Sequence, residues 1–225
     1  MTMAAYQTPE YHPAFEEYCE AIFELHEDEV EVIQARIAER LDVSRPAVSE
    51  MIHRMEREGL VEIDRAIRLT PAGAELAESV VRRHRLAERF LTDVLELSWA
   101  EAHAEAGKWE HVISPSVEAA MNRMLGEPTT CPHGNPIPGS AYVLAPDTTT
   151  LSSVEVGRSF VVRRITEELE FTDGLLEYLE TCEIQPGRVG TVTAVTGEGT
   201  TVSIDDREVP LESFVGARIL VTPTR

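Results

Sequence analysis

Residues 38–61 read AERLDVSRPAVSEMIHRMEREGLV. Apolar residues recur at helical spacing on both sides of a short polar turn at 42–44. Three residues are typical of helix ends: Ser44 as an N-cap, Pro46 in a first turn and Gly59 after a last turn. The stretch therefore predicts two short helices joined by a tight turn, the second running from Arg45 to about Glu58.

The flanking sequence extends this helix pair to a winged helix-turn-helix. We expect helices at 13–27, 32–41 and 72–93, and short strands at 60–63 and 67–69. A plain helical hairpin is the alternative. The apolar positions fall where a core of three helices needs them, which favours the DNA-binding interpretation: Ile37, Leu41, Val43, Val48, Ile52, Met55 and Leu60.

In such a unit the second helix of the pair enters the major groove and the wing lies along the backbone. The candidate DNA-contacting residues are Arg36, Ser44, Arg45, Pro46, Ala47, Ser49 and Glu50, with Arg65 and Arg68 on the wing. Arg45 can bind guanine or a phosphate, whereas Glu50 can accept from cytosine or stay solvated. The two wing arginines suit phosphates.

The charge distribution is compatible with DNA although the net charge is −20. Residues 1–30 carry eight acids and no base, whereas residues 31–70 carry seven arginines against eight acids. The segment assigned to DNA is thus nearly neutral, so the overall acidity does not exclude a polyanionic partner. The sequence has no long apolar run and no signal-peptide pattern, so we expect a cytoplasmic protein without a membrane partner.

The remaining sequence predicts a helical region followed by a small β-barrel, giving an α+β chain. Helices are expected at 100–112 and 114–125, and a proline- and glycine-rich loop at 129–139. From 154 onwards short apolar runs alternate with glycine turns, which is typical of an SH3-like barrel, here with one helical insertion near 172–180. The expected domains are 8–74 (winged helix-turn-helix), 75–140 (helical metal-binding and dimerisation), 141–153 (linker) and 154–225 (barrel).

Acids and histidines recur on single helix faces, in a pattern that suits a divalent metal. The sets are Glu17 and Glu20; His84 and Glu88; and His103, Gly107, Glu110 and His111. First-row metals bind imidazole and carboxylate groups that converge from different elements. The three cysteines form no CxxC pair, so no disulfide framework or thiolate zinc site is indicated.

Two other function classes have to be weighed against a metal-dependent regulator. Any one Glu pair is usually a solvated face and a single histidine is usually structural, so a metal-independent winged-helix regulator is the alternative. An enzyme is not expected, because no HExxH, phosphate loop or nucleophile elbow is present.

Four stretches together resemble the diphtheria toxin repressor family of iron- and manganese-dependent regulators. They are ARIAERLDVSRPAVSEMIHRMEREGLV, RRHRLAERFLTDVL, HAEAGKWEHV and GNPIPG. The resemblance is dense over 14–140 and weak in the barrel. It implies a homodimeric repressor of metal-uptake genes that binds an interrupted palindromic operator when loaded with metal. The apolar residues at the implied dimer interface are Phe90, Leu91, Val94, Leu95, Trp109, Val112 and Ile113, which would equally serve a core within one chain.

The resemblance implies a primary metal site at Glu17, Glu110 and His111. Iron-sensing members have Met at position 17 and Cys at 107, whereas manganese-sensing members have carboxylates matching Glu17 and Glu20 and a further carboxylate at 107. This chain has Gly107, so its match to the manganese type is partial. Oxygen ligands without sulfur favour Mn²⁺, with Fe²⁺ as the other candidate and Zn²⁺ or Co²⁺ able to substitute in vitro.

The resemblance also implies an ancillary metal site, so we expect two or more ions per chain. Its ligands would be His84, Glu88 and His103, joined by Glu167 and Glu170 from the barrel. Arg85 and Asn135 match positions near an anion in the family. A bound ion would tie the barrel to the helical region and fix the first helix against it.

Overall fold

The computed structural model describes residues 13–224, so positions 8–12 of the expected DNA-binding domain and Arg225 lie outside it. The first unit contains three helices and a two-stranded wing: α1 Pro13–Glu27, α2 Gln34–Arg40, α3 Arg45–Arg57, β1 Val61–Ile63 and β2 Ile67–Leu69. The strands are antiparallel, with Val61 opposite Leu69. The sequence prediction of a winged helix-turn-helix is confirmed in every one of these elements.

Local capping and a shared core explain why this stretch folds as it does. The Ser44 side chain accepts from the backbone N–H of Ala47 at 3.4 Å, which caps α3. One apolar cluster then joins all the elements, and it includes Ile22, Ile37 and Ile52, none more than 1 % exposed. Because α1 supplies much of this cluster, α1 is packed as an integral part of the DNA-binding unit.

The middle of the chain is helical. Helix α4 spans Pro71–Asp93, α5 spans Trp99–Trp109 and α6 spans Pro115–Met124. Serine N-caps begin the two shorter helices, and a capping box between Ser98 and Glu101 strengthens the start of α5. A separate apolar cluster holds α4, α5 and α6 together.

A loop from this region contacts the C-terminal unit. Between α6 and the sheet, a bridge from Thr130 to Pro136 closes a tight loop around Gly134. Gly134 has φ +91°, and a Cβ atom there would lie 2.2 Å from the carbonyl oxygen of Arg163. The N–H of Ile165 also donates to the carbonyl of His133 at 2.8 Å. Only glycine allows the loop to approach the strand this closely.

The C-terminal unit is a six-stranded antiparallel sheet, in the order β3-β8-β4-β5-β6-β7. Its elements are β3 Thr149–Thr150, a 3-10 turn Leu151–Ser153, β4 Ser159–Ile165, α7 Glu167–Glu170, α8 Leu175–Thr181, β5 Val189–Val195, β6 Gly199–Ile204, β7 Arg207–Glu212, α9 Ser213–Gly216 and β8 Ile219–Pro223. Thr149 and Thr150, which lie in the expected linker, thus begin the sheet, because they form β3 and pair with β8. The helical insertion is present as α8. The expected α+β fold class is confirmed, and no helix among residues 13–224 has the length and apolarity to cross a membrane.

Candidate metal centre

Helix α1 has two unlike faces. One packs into the core of the DNA-binding unit. The other carries glutamates at helical spacing: Glu16, Glu20, Glu24 and Glu27. Glu16 and Glu24 are each only 4 % exposed. Buried carboxylates need cationic or hydrogen-bonding partners. We therefore expect such partners on the elements that pack against this face of α1.

The first cluster of metal-competent atoms joins α1, α4 and the end of α5. Ligand atoms of Glu20, His84 and Glu110 all lie within 4.8 Å of one another. Nδ1 of His84 is 2.5 Å from Oε2 of Glu110. Oε1 of Glu20 is buried and has no hydrogen-bond partner among the described residues. An orphaned carboxylate oxygen beside imidazole and carboxylate groups fits a divalent cation.

His111 and Glu17 lie at the edge of this cluster. Nε2 of His111 is 3.2 Å from Oε1 of Glu110 and 3.9 Å from Oε1 of Glu17. The Glu17 side chain is 51 % exposed, so it contacts the cluster from the solvent side. Gly107 lines the same cavity of about 220 Å³, and a Cβ atom at this position would meet nothing within 4 Å. The structure therefore leaves open space where manganese-type relatives are expected to have a carboxylate.

Glu16, which the sequence analysis did not single out, holds His111 in place. Its Oε2 atom lies 2.6 Å from Nδ1 of His111, and its Oε1 accepts from Arg83 at 3.4 Å. With Nδ1 engaged in this way, Nε2 of His111 is the nitrogen left for a metal. The role of Glu16 could not be predicted from the sequence, because Glu16 and Glu17 are neighbours and the sequence does not show which of them faces His111.

A second cluster shares His84 with the first. Ligand atoms of His84, Glu88 and His103 lie within 4.8 Å of one another. Oε1 of Glu88 is 3.0 Å from Nδ1 of His103 and 3.3 Å from Nε2 of His84. Oε2 of Glu170, on α7, is 3.2 Å from Nδ1 of His103. His84 thus presents one ring nitrogen to each cluster, whereas the resemblance implied it only for the ancillary site.

Glu167, the other barrel glutamate, lies beside an arginine. Oε1 of Glu167 accepts from Nη2 of Arg85 at 2.7 Å, and Oε2 of Glu27 accepts from the same nitrogen at 2.7 Å. Arg85 is fully buried and also donates to the carbonyl of Pro136. Oε2 of Glu167 is buried without a hydrogen-bond partner among the described residues. In this arrangement Glu167 is a partner of Arg85 with one free oxygen.

The loop after α6 adds two groups that sequence reasoning missed. Ligand atoms of Glu88, Cys131 and His133 also lie within 4.8 Å of one another, and all three residues are buried. Nδ1 of His133 is 2.9 Å from Oε2 of Glu170 and 3.8 Å from Sγ of Cys131. Asn135 donates to the other Glu170 oxygen at 2.6 Å. The only sequence signal was a Cys-Pro-His triplet in a loop that cannot be helical.

The carboxylates hold protons on the histidines. Burial alone would lower the pKa of His84, but Glu88 and Glu110 raise it well above its usual value. The pKa of His103 is raised to about 10, because Glu170 and Glu88 outweigh the effect of burial. These imidazolium groups stand where a cation would, and a metal would have to displace their protons.

Several other groups also favour the protonated form. Burial raises the pKa of Glu20 well above its usual value, and the charge of Glu110 adds to the effect. Burial likewise raises the pKa of Glu167, with a contribution from Glu170, and that of the Cys131 thiol. A bound divalent ion would reverse these shifts by stabilising the anionic ligands.

The residues predicted to contact DNA are accessible to solvent in the first unit. Ser49 is partly exposed, and the other eight are exposed: Arg36, Ser44, Arg45, Pro46, Ala47, Glu50, Arg65 and Arg68. Arg36 pairs with Glu39 at 3.0 Å within α2. His53 and Arg57, not predicted, are exposed on α3 as well. The buried residues of α3 are Val48, Ile52 and Met55, so its outer face is free for a groove.

Two family models match most of the chain up to residue 139. One is described as the iron dependent repressor N-terminal DNA binding domain and matches residues 11–66. The other is described as the iron dependent repressor metal binding and dimerisation domain and matches residues 70–139. This chain belongs to the iron-dependent repressor family. The resemblance seen in the sequence is confirmed, and every residue in the first two clusters except barrel Glu170 lies within the matched segments.

Two named relatives of this chain are an iron-dependent repressor and a diphtheria toxin repressor. The iron-dependent repressor IdeR of Mycobacterium tuberculosis is 42 % identical over 205 residues, covering 86 % of this chain and 89 % of the relative. The diphtheria toxin repressor of Corynebacterium diphtheriae is 49 % identical over 126 residues, covering 55 % of this chain and 56 % of the relative. The repressors named in these comparisons are not enzymes.

Solved structures agree over nearly the whole length. A manganese-dependent transcriptional repressor in complex with manganese has a TM-score of 0.83 at 32 % identity, covering 93 % of this chain and all of that one. The IdeR of T. acidophilum has a TM-score of 0.77 at 28 % identity, with coverage of 93 % and 97 %. The sheet that follows residue 148 is therefore part of the shared architecture.

Proposed function

We propose that this chain is a metal-activated transcriptional repressor whose DNA-binding unit is set in place by ions bound between α1, α4 and α5. The observation that carries the proposal is the position of Glu20. This residue belongs to a helix of the DNA-binding unit, yet its unpartnered oxygen faces His84 and Glu110 of the helical region. A cation shared by these groups would fix the angle between the two units.

The ligands proposed for the first ion are Glu17, Glu20, Glu110 and His111, with His84 shared and Gly107 contributing at most its carbonyl. Those proposed for the second are His84, Glu88, His103 and Glu170, with Glu167 adjacent. The oxygen and imidazole donors of the first set support Mn²⁺ as the physiological ion, and Fe²⁺ is the second candidate. We expect at least two ions per chain.

Two copies of the chain would bind one operator. Family membership brings a dimerisation domain, and three apolar residues predicted at its interface are exposed: Val94 at 40 %, Leu95 at 49 % and Val112 at 75 %. Leu91 and Ile113, predicted with them, are in the core instead. A symmetric dimer presents two copies of α3, so we expect an interrupted palindrome near genes of metal uptake and a cytoplasmic site of action.

Metal-dependent DNA binding tests the proposal. Chelator-stripped protein would be titrated with Mn²⁺, and anaerobically with Fe²⁺, against DNA from upstream of its own gene and of metal-transporter genes. We expect binding only with metal, and none for the Glu110→Ala/His111→Ala variant. The control is His26→Ala/Glu78→Ala, which removes the same two residue types from exposed positions and should behave as wild type. Equally tight binding without metal would favour a metal-independent regulator and refute the proposal.

A further inference from the structure

We propose that two residues of the DNA-binding unit, Asp28 and Arg40, clamp helix α7 of the barrel and so make the barrel a direct support for that unit. Helix α7 carries Glu167 and Glu170, whose carboxylates face groups on α4 and α5. The contacts of the α7 clamp itself involve none of the proposed metal ligands. Its effect on DNA binding rests on the proposed function, whereas its existence does not.

Asp28 holds the first turn of α7 from outside the barrel. It directly follows α1, and its side chain is only 2 % exposed. Its Oδ2 atom accepts from the backbone N–H of Glu168 at 3.1 Å, and its Oδ1 accepts from Nη2 of Arg164 on β4 at 2.5 Å. Thr166, at the N-cap position of α7, makes no side-chain cap. The DNA-binding unit thus supplies a capping carboxylate that the barrel does not supply for itself.

Arg40 holds the other end of α7. It is the last residue of α2, and its side chain is only 4 % exposed. Its guanidinium carbon lies 4.3 Å from the ring centroid of Phe171, the residue at which α7 ends, and its Nη1 atom donates to Glu24 at 2.9 Å. Nη2 is buried and has no hydrogen-bond partner among the described residues. The aromatic face therefore takes the place of a polar partner on this side of the guanidinium.

The α7 clamp and the proposed ions favour the same arrangement of the units. The contacts of Asp28 and Arg40 occur together with the close approach of the metal-competent atoms in the first cluster. Contacts made in one arrangement shift the population toward it, as a ligand does. Loss of the clamp should therefore raise the Mn²⁺ concentration needed for DNA binding. The alternative is that the clamp anchors the barrel without positioning the DNA-binding unit.

Amide hydrogen exchange of the full-length, metal-free protein tests the clamp without DNA or metal. Asp28→Ala removes both of the contacts of Asp28, while Arg164 keeps Glu27 as an ionic partner at 2.9 Å, so no cation is left unpaired. We expect faster exchange of the α7 amides in Asp28→Ala. Exchange should stay near the wild-type rate in Asp28→Asn, because the amide oxygen can still accept from the N–H of Glu168.

The aromatic contact allows a matched comparison. Phe171→Leu keeps an apolar side chain but removes the aromatic face, so exchange should rise in α2, which belongs to the other unit. The control is Phe214→Leu. Phe214 lies 3.8 Å from the guanidinium of Arg218 within the barrel and is 42 % exposed, against 49 % for Phe171. This control should leave exchange in α2 unchanged.

DNA binding then tests the positioning role, with Mn²⁺ titrated into each variant in the presence of the DNA that the wild type binds. We expect Asp28→Ala to need at least about fivefold more Mn²⁺ for half-maximal binding, and Asp28→Asn to stay close to wild type. Should Asp28→Ala fail to fold, Phe171→Leu carries the same test.

Unchanged exchange in both Asp28→Ala and Phe171→Leu would overturn the clamp. Faster exchange with an unchanged Mn²⁺ requirement would overturn the positioning role. If the wild type bound DNA without metal, the proposed function would fail, but exchange would still decide the clamp and the DNA affinities of the variants would decide the positioning role.

Discussion

Replacement of Glu16 tests whether a residue that touches no proposed ion controls the metal affinity. Glu16 is 4 % exposed and its carboxylate lies 2.6 Å from Nδ1 of His111. Loss of such an outer partner typically weakens metal binding by about 10–100-fold, or about 1.4–2.7 kcal/mol. Glutamine keeps an acceptor oxygen but removes the charge. We therefore expect about tenfold weaker Mn²⁺ binding for Glu16→Gln and about 100-fold for Glu16→Ala.

The assay is competition for Mn²⁺ with a fluorescent chelator, with Glu78→Gln as the control for loss of an exposed carboxylate. The pKa of His111 gives an independent readout. The hydrogen bond that His111 donates to Glu16 is the main cause that raises the pKa of His111 above 6.5, so Glu16→Gln should lower this pKa in an NMR titration of the metal-free protein. If both Glu16 variants bound Mn²⁺ as tightly as wild type while Glu110→Gln did not, the positioning role would be refuted.

Three further predictions concern the pH response, the cavity and the core. In metal-free protein the pKa of His103 is raised to about 10, above the unfolded value of about 6.5. The stabilising contribution of His103 is therefore complete below pH 6.5 and disappears as the pH rises through 10. Urea titrations across this range should show the loss, and the free energy of unfolding should depend less steeply on pH in His103→Gln. Gly107→Glu should tighten Mn²⁺ binding and, because it removes a helical glycine, add about 0.5–1 kcal/mol to the free energy of unfolding. Gly107→Ala should add the stability without tightening Mn²⁺ binding. Equal Mn²⁺ affinity in the two variants would argue against a ligand at this position. Ile52→Ala should cost about 2–5 kcal/mol in the free energy of unfolding because Ile52 is fully buried, and a cost no greater than that of partly exposed Met51→Ala would contradict the described core.

The fold was predictable where periodicity and capping act within a short stretch. Helices α1 to α6 were all predicted from the sequence, and the Ser44 N-cap of α3 was predicted with them. The Ser98 cap of α5 was not singled out, although it acts in the same local way. Strand β3 could not be predicted in this way. It has two residues, Thr149 and Thr150, and exists only because β8, about 70 positions later, pairs with it.

The candidate site shows the same division. Groups three or four apart on one helix, such as His84 and Glu88, were predictable because helix geometry places them together. Cys131 and His133 were not, because their approach to Glu88 depends on a loop held against β4 by tertiary contacts. The dual use of His84 was hidden for a related reason, since ring orientation is set by partners on α5.

The close approach at Gly134 also constrains how the sequence around it can diverge. Any side chain there would collide with the carbonyl of Arg163, so a substitution would force the loop away from the sheet. Cys131 and His133 carry no such restriction on their backbone, since neither has a positive φ. We therefore expect selection to hold this glycine fixed, because its missing side chain is what lets the loop that carries Cys131 and His133 lie against the sheet.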